Sequence, residues 1–88
     1  MILLDVRSRR EFDRGHVPGA RHLPFWRAGA ARIDAAPDEA ITVYCGHGPR
    51  AWIARALLRS RGFRDVRLLA GHMRRWKKDG KPLEGRSC

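Results

Sequence analysis

Cysteine is scarce in this 88-residue sequence, and long apolar runs are absent. Two cysteines cannot build a disulfide framework, and no Cys/His cluster has the spacing of a zinc site, so we expect neither a metal nor another cofactor. No apolar run approaches the length of a membrane span, so no membrane partner is predicted. The apolar start, from Ile2 to Leu4, meets Asp5 at once. We therefore expect no secretory signal and a cytoplasmic protein with reduced thiols.

Lysine is scarce as well, because only 3 of the 19 basic residues are lysine and 16 are arginine. Against 9 acidic residues this gives a formal net charge of +10, spread along the chain without a long basic run. Such a charge attracts anions, whether a small substrate, an acidic partner or nucleic acid. No nucleic-acid-binding motif accompanies the charge, so we favour a small anionic substrate and expect no nucleic acid partner.

The length and the apolar pattern predict one small α/β domain. A hydrophobic content of 43% and a charged content of 32% are typical of a folded domain. Short apolar runs typical of buried parallel strands alternate with helical segments, which indicates a parallel sheet flanked by helices. Strands are predicted over 2–6, 40–45 and 65–69, with a brief extended piece over 21–24. We assign residues 1–88 to this domain and expect a loose tail over 83–88.

Helix signals fill the segments between these strands. Ser8 and Glu11 have the spacing of a capping box, which predicts a short helix ending near Gly15. Large apolar residues in an alanine-rich segment predict a second helix from Phe25 to Ile33. The remaining helices are expected from Arg50 to Arg61, with Gly62 as the stop, and from Met73 to Lys78. The tryptophans, Trp26, Trp52 and Trp76, are interpreted as core or partly buried packing.

One stretch carries the pattern of an active site. An apolar strand ends at Cys45, and Gly46-His47-Gly48-Pro49-Arg50 follows before a helical segment. Cys45 is therefore predicted at the carboxyl end of a strand, over a tight loop that leads into a helix. Backbone N–H groups converge at such a point and favour negative charge. The pattern predicts a Cys45 thiolate nucleophile, while a small buried cysteine with only a packing role is the alternative.

Several separate blocks of the chain, in the right order, resemble rhodanese-like domains. The matching blocks are Asp5-Val6-Arg7, Glu11-Phe12, Gly15-His16-Val17-Pro18-Gly19-Ala20, Leu23-Pro24, Cys45-Gly46-His47-Gly48-Pro49-Arg50, Leu69-Ala70-Gly71, Trp76 and Gly80-Lys81-Pro82. His72 stands where the family commonly has a second glycine, so we expect the turn there to differ. The chain also starts without the strand and helix that usually open the domain. We therefore expect a sheet of about four strands, with an edge that a second copy could pair with.

The resemblance implies a sulfurtransferase. The Cys45 thiolate would attack the outer sulfur of thiosulfate or a similar donor, sulfite would depart, and a thiol or cyanide would take the sulfur from the resulting persulfide. The N–H groups of the loop 46–50 would stabilise the persulfide, except at Pro49, which has none. The protein is expected to be a monomer or a weak homodimer, and a protein could replace the small acceptor.

The remaining candidate residues have two interpretations each. Arg50 either binds an oxyanion such as thiosulfate or begins the helix and pairs with a carboxylate. His47 either steers the donor and exchanges protons or is exposed loop surface. Cys88 is either a resolving cysteine or a tail residue of no consequence. Asp5 is either an acid near the loop or a residue that supports the loop through hydrogen bonds to the backbone or to arginine side chains. Arg7, Glu11 and His16 are expected to support the loop in the same way.

Other functions stay open beside the sulfurtransferase. Cysteine-dependent phosphatases and arsenate reductases use a similar cradle, but with five residues between cysteine and arginine. Here four residues separate Cys45 from Arg50, which makes a smaller cradle that suits a sulfur atom better than a tetrahedral phosphate. A rhodanese-like fold can also serve as a non-catalytic binding or regulatory module. A persulfide carrier would differ from the enzyme only in its acceptor.

Overall fold

A parallel sheet of four strands, in the order β2-β1-β3-β4, forms the centre of the molecule. The computed structural model describes residues 2–84. The strands are β1 (Ile2–Asp5), β2 (Arg21–His22), β3 (Ile41–Tyr44) and β4 (Val66–Leu68), and the helices are α1 (Arg9–Arg14), α2 (Pro49–Ser60) and α3 (His72–Lys78). The predicted α/β class, with about four parallel strands and flanking helices, is confirmed.

The register of β1 and β3 determines where the candidate site lies. Ile2 lies opposite Ile41, and Asp5 lies opposite Tyr44. Every residue of β3 is buried, as expected of a central strand that is covered on both faces. Because parallel strands in register end at the same edge of a sheet, the residues that follow β1 meet Cys45, which follows β3.

Apolar clusters cover both faces of the sheet, because side chains alternate along each strand. One cluster contains Val43, Cys45 and the inner face of α2. The other contains Tyr44 and Met73, with Phe12 of α1 and Trp76 of α3 packed against it. Cys45 therefore points to the side of α2, whereas its neighbour Tyr44 points to the side of α1 and α3.

Local sequence signals explain where α1 and α2 begin. The Ser8 hydroxyl accepts a hydrogen bond from the Glu11 N–H at 3.3 Å, and the Glu11 carboxylate accepts from the Ser8 N–H at 3.2 Å. The predicted capping box of α1 is therefore present. Pro49 is the first residue of α2. A backbone N–H at this position has no partner within the helix, so proline, which lacks one, is well tolerated there. Gly62 follows the end of this helix with φ +99°, which glycine adopts without strain.

The helix predicted from Phe25 to Ile33 is wrong beyond its first turn. Phe25–Arg27 form a short 3-10 helix, and turns follow it. The Arg61 guanidinium donates a hydrogen bond of 2.7 Å to the Ala28 carbonyl. In a longer helix this carbonyl would accept a backbone hydrogen bond of the helix instead. Gly29 also lowers the helix propensity of the segment. Tertiary contacts with α2 therefore override the local preference.

Two of the three tryptophans lie on the surface, so the packing interpretation is wrong for them. Trp26 is 60% exposed and Trp52 is 59% exposed. Trp52 lies on the outward face of α2, where the Arg55 guanidinium is 5.1 Å from its ring centroid. Trp76 is partly buried, and its indole N–H donates to the Pro82 carbonyl at 2.8 Å.

The tail predicted over 83–88 is not loose at its start. Leu83 packs against the cluster around Tyr44. Glu84 and His16 exchange backbone hydrogen bonds of 3.0 Å and 2.9 Å, which hold this segment against the loop after α1. Residues 85–88, including Cys88, lie outside the described residues. Within residues 2–84, no helix is long and apolar enough to cross a membrane.

Candidate active site

Cys45 lies directly after β3, where a tight loop leads into α2. Its Sγ accepts a hydrogen bond of 2.9 Å from the Gly48 N–H. Gly48 has φ 136°, a conformation that a residue with a side chain rarely adopts, and it caps the start of α2. Cys45 has no exposed surface. The strand end, the tight loop and the helix start are therefore arranged as the sequence predicts, around a thiol that is fully covered.

One of the predicted donor amides reaches the sulfur. The Gly48 N–H bonds Sγ, whereas in residues 2–84 the N–H groups of Gly46, His47 and Arg50 make no hydrogen bond to it. His47 is exposed, which agrees with its interpretation as loop surface. The loop thus holds the thiol through a single main-chain donor.

Three hydrogen bonds tie the loop to the start of α3. The Met73 N–H donates to the Cys45 carbonyl at 3.0 Å, and the Arg74 N–H donates to the Gly46 carbonyl at 2.9 Å. The Cys45 N–H donates to Nδ1 of His72 at 3.3 Å. His72 was expected in a turn, but it is the first residue of α3. Sequence reasoning assigned it no role, although its place at a glycine position of the family was a signal.

Arg50 pairs with a carboxylate, which is one of its two predicted roles. Its Nη1 lies 2.6 Å from Oε1 of Glu11, and its Nη2 lies 3.1 Å from Oε2. Hydrogen bonds from Arg50 lower the pKa of Glu11 to about 2. The Glu11 carboxylate in turn raises the pKa of Arg50, and the charge of Cys45 contributes to the same shift. Arg50 therefore carries a permanent charge within electrostatic reach of the sulfur.

The ion pair with Glu11 uses part of the donor capacity of the Arg50 guanidinium. A guanidinium has five N–H donors, and Glu11 uses two of them. Nη2 of Arg50 also lies 3.2 Å from the point where a side chain on Gly46 would begin. The guanidinium thus lies beside the loop, and a residue larger than glycine at position 46 would press on it.

Asp5, the last residue of β1, forms a buried pair with Arg7. The Arg7 side chain donates to the Asp5 carboxylate at 2.6 Å and 3.0 Å, and it also donates to the Gly15 carbonyl at 2.8 Å. Burial opposes the charge on Arg7, but the hydrogen bonds and the charge of Asp5 raise its pKa overall. Asp5 thus binds an arginine side chain, as the supporting interpretation expects.

Tyr44 completes this buried network, and sequence reasoning missed it. Its hydroxyl donates to Asp5 at 2.8 Å and accepts from the Val17 N–H at 3.1 Å. Burial, and next the charge of Asp5, raise the pKa of Tyr44 above its ordinary value. The signal was the residue type, since a buried tyrosine hydroxyl needs a partner. Because Tyr44 points away from Cys45, the network supports the strand ends rather than touching the sulfur.

An open cleft of about 700 Å³ lies near the end of β2, and Cys45 is not among its lining residues. Arginines and an exposed tryptophan dominate the lining, which includes Arg9, His22, Trp26, Arg27 and Arg32.

Within residues 2–84, no three His, Cys, Asp or Glu side chains are grouped closely enough to hold a metal ion.

The fold and the loop define a class: a small parallel α/β domain with a single cysteine in the loop between a central strand and the following helix. A family model described as the rhodanese-like domain matches residues 1–79. The crystal structure of the rhodanese-like domain of the Alr3790 protein from Anabaena superposes with a TM-score of 0.85 at 34% identity, covering 96% of this chain and 98% of that one. The chain belongs to the rhodanese-like domain family.

The relatives that match this chain include a protein named as a sulfurtransferase and a protein named as uncharacterised. The chain is 33% identical over 76 residues to the thiosulfate sulfurtransferase GlpE of Pseudomonas putida, covering 86% of this chain and 69% of GlpE. It is 31% identical over 74 residues to YqhL of Bacillus subtilis, covering 84% of this chain and 59% of YqhL. The chain therefore spans less than two thirds of the length of YqhL.

Proposed function

We propose that this protein is a sulfurtransferase that carries sulfur on Cys45. The Cys45 thiolate attacks the outer sulfur of thiosulfate or a similar donor. The sulfur–sulfur bond of the donor breaks, and sulfite leaves with the bonding electron pair. A thiol or cyanide then attacks the outer sulfur of the Cys45 persulfide, and Cys45 departs as a thiolate. No redox partner is needed, because the transferred sulfur keeps the same oxidation state in the donor, in the persulfide and in the product.

The observation that carries this proposal is the hydrogen bond from the Gly48 N–H to Sγ of Cys45. A main-chain donor fixed by the fold stabilises negative charge on the sulfur without reorganising during the reaction. The thiosulfate sulfurtransferase GlpE, a named relative, supports the choice of thiosulfate as the first donor to test.

Arg50 is the group proposed to bind the donor. Its charge is permanent, and three of its N–H groups have no partner in residues 2–84. Those donors suit the oxygen atoms of thiosulfate, which a guanidinium can bind in pairs. The net charge of +10 would also speed the arrival of an anion.

The covered sulfur favours a second candidate, a non-catalytic binding module. Because Cys45 has no exposed surface, a donor reaches Sγ only when the loop residues over it move. A domain that uses this fold for binding alone would not need that movement. The phosphatase alternative is less well supported, since four residues rather than five separate Cys45 from Arg50.

The deciding experiment is incubation of the protein with thiosulfate, followed by intact mass measurement. The wild type should gain the mass of one sulfur atom, and Cys45→Ser should gain none. Cys88→Ser is the matched control and should load like the wild type. Loading without turnover in the presence of cyanide or a thiol would favour the carrier. No loading would favour the binding module, and comparable hydrolysis of an aryl phosphate would favour the phosphatase.

The proposed setting is a reducing one, such as the cytoplasm, where Cys45 stays a thiol between turnovers. The edge strands β2 and β4 have two and three residues. Such short edges offer little backbone for pairing with a second copy, so we propose a monomer. Size-exclusion chromatography at high protein concentration tests this, and a concentration-dependent dimer would favour edge pairing instead.

A further inference from the structure

The backbone of His72 is unusual for a residue with a side chain. Its φ is +52°, and it is the single non-glycine residue in 2–84 with a positive φ. This left-handed region favours glycine, although histidine is among the types that enter it. The residue is also buried. The turn alone would be served by glycine, so a buried histidine in this conformation is expected to have a role for its side chain.

The ring of His72 lies against the loop that holds Cys45. Its Nδ1 accepts a hydrogen bond from the Cys45 N–H at 3.3 Å. Its Nε2 lies 3.6 Å from the point where a side chain on Gly48 would begin. One imidazole therefore binds the Cys45 end of the turn and lies close to its Gly48 end, where the N–H binds the sulfur.

The hydrogen bond defines the state of the ring. A backbone N–H can only donate, so Nδ1 must offer a lone pair, and the imidazole must be neutral with its proton on Nε2. Burial, and next the charge of His47, lower the pKa of His72, which favours the same neutral form. No carboxylate in the described part of the chain forms an ion pair with this ring.

We propose that His72 is a positioning residue for Cys45: its neutral imidazole fixes the Cys45 amide and lies beside Gly48, and so holds the turn in the shape that places the Gly48 N–H on the sulfur. The other two bonds from α3 to the loop come from the main chain and do not depend on a side chain. The His72 side chain thus adds a bond to the backbone of the turn from outside it, beside the bond that the Cys45 side chain makes within the turn. Its effect on turnover rests on the proposed function, whereas its effect on the loop does not.

Two substitutions of His72 distinguish a side chain that positions Cys45 from a residue that is needed only for the backbone conformation of the turn. His72→Gly gives the backbone its preferred residue but removes the acceptor. His72→Asn also tolerates a positive φ, and its Oδ1 occupies the place of Nδ1 without titrating. If His72 only fits the turn, the glycine variant should perform at least as well as the asparagine variant. If it positions Cys45, the order should be reversed.

Amide hydrogen exchange of Cys45, followed by NMR, is the direct measurement. The amide of Ile41, which donates to the Asp65 carbonyl at 2.8 Å at the opposite end of β3, is the internal control for global unfolding. Relative to Ile41, the Cys45 amide should exchange about threefold to tenfold faster in His72→Gly, the range expected for one lost hydrogen bond. In His72→Asn it should stay within about twofold of the wild type.

Turnover with thiosulfate provides the second readout. We expect kcat to fall in His72→Gly by a factor similar to the change in exchange, with little change in KM, and to recover in His72→Asn. Equal exchange of the Cys45 amide in the wild type and His72→Gly would overturn the proposal, and so would equal losses in both variants. If the exchange pattern holds but wild-type protein takes no sulfur, only the proposed function fails.

Discussion

The guanidinium of Arg50 and the carboxylate of Glu11 meet at two points, with distances of 2.6 Å and 3.1 Å. Glu11 also accepts hydrogen bonds from the backbone and hydroxyl of Ser8. The ion pair therefore connects the capping box of α1 with the first turn of α2. As a result, Arg50 is held beside the Cys45 loop, and the proposed binding of a donor would cost less conformational entropy.

Replacing Arg50 should impair the use of an anionic donor. We expect Arg50→Ala to lower kcat/KM for thiosulfate about tenfold to a hundredfold, because a hydrogen bond to a charged group contributes ~1.5–3 kcal/mol. The measurement is steady-state sulfur transfer to cyanide. Arg59→Ala, on the exposed face of the same helix, is the control and should leave kcat/KM unchanged. Equal values for both variants would show that Arg50 serves only the structure.

The Glu11 ion pair should make stability depend on acid pH. The pKa of Glu11 falls from 4.5 to about 2 on folding, so its contribution is complete above pH 4.5 and is lost as the pH drops toward 2. Because the side chain is 37% exposed, we expect less than about 1 kcal/mol from the pair.

Urea denaturation of the wild type and Glu11→Gln at about pH 6 and about pH 3 measures this dependence. The difference in unfolding free energy between the two proteins should shrink at the lower pH. Asp13→Asn removes another carboxylate from α1, one that pairs with Arg9 in an exposed position, and should have a smaller effect. A difference that stays constant with pH would contradict the assigned shift.

Gly48 should not accept a side chain. Its φ of 136° is strained for alanine, at a cost of about 1–3 kcal/mol. The added methyl group would lie 3.6 Å from Nε2 of His72, an ordinary contact distance, so the strain would come from the backbone conformation of residue 48. We expect Gly48→Ala to shift the loop away from Sγ and to abolish sulfur loading in the mass experiment.

Gly80→Ala is the matched control for this substitution. Gly80 also has a positive φ, +67°, but nothing lies within 4 Å of the added methyl group, and the residue follows α3. It should lower the melting temperature and leave loading intact. Full loading of Gly48→Ala would mean that the hydrogen bond to Sγ does not support the persulfide.

The Tyr44 hydroxyl should contribute to stability rather than to chemistry. Tyr44→Phe leaves the buried Asp5 carboxylate and the Val17 N–H each short of one partner, at a cost of about 1–3 kcal/mol. The expected result is a lower urea midpoint with unchanged sulfur loading, because Tyr44 points away from Cys45. A loss of loading at unchanged stability would place Tyr44 in the catalytic site instead.

Local patterns in the sequence predict much of the fold. Apolar runs mark β1 and β3, the Ser8–Glu11 spacing marks the start of α1, and Gly62 marks the end of α2. The position of Cys45 after a strand and before a helix follows from the same kind of signal. Each of these features depends on residues close together in the chain, so no knowledge of tertiary contacts is required.

Contacts between distant residues could not be predicted in the same way. Arg50 and Glu11 are 39 residues apart in the chain, and Cys45 and His72 are 27 apart. The sequence showed that Arg50 needed either a carboxylate or a substrate, but not which carboxylate. Likewise, the Arg61 contact that ends the helical turn after Phe25 depends on how α2 packs. Such partners are fixed by the register of the sheet and not by local propensity.

The complete covering of Cys45 has a consequence for its oxidation. Oxidation of a cysteine to sulfenic and sulfinic acid requires a thiolate that peroxide can reach. A sulfur with no exposed surface reacts with such oxidants only during the brief openings that also admit a donor. The fold thus shields the Cys45 thiol from oxidants, whereas a thiolate on an open surface would be oxidised.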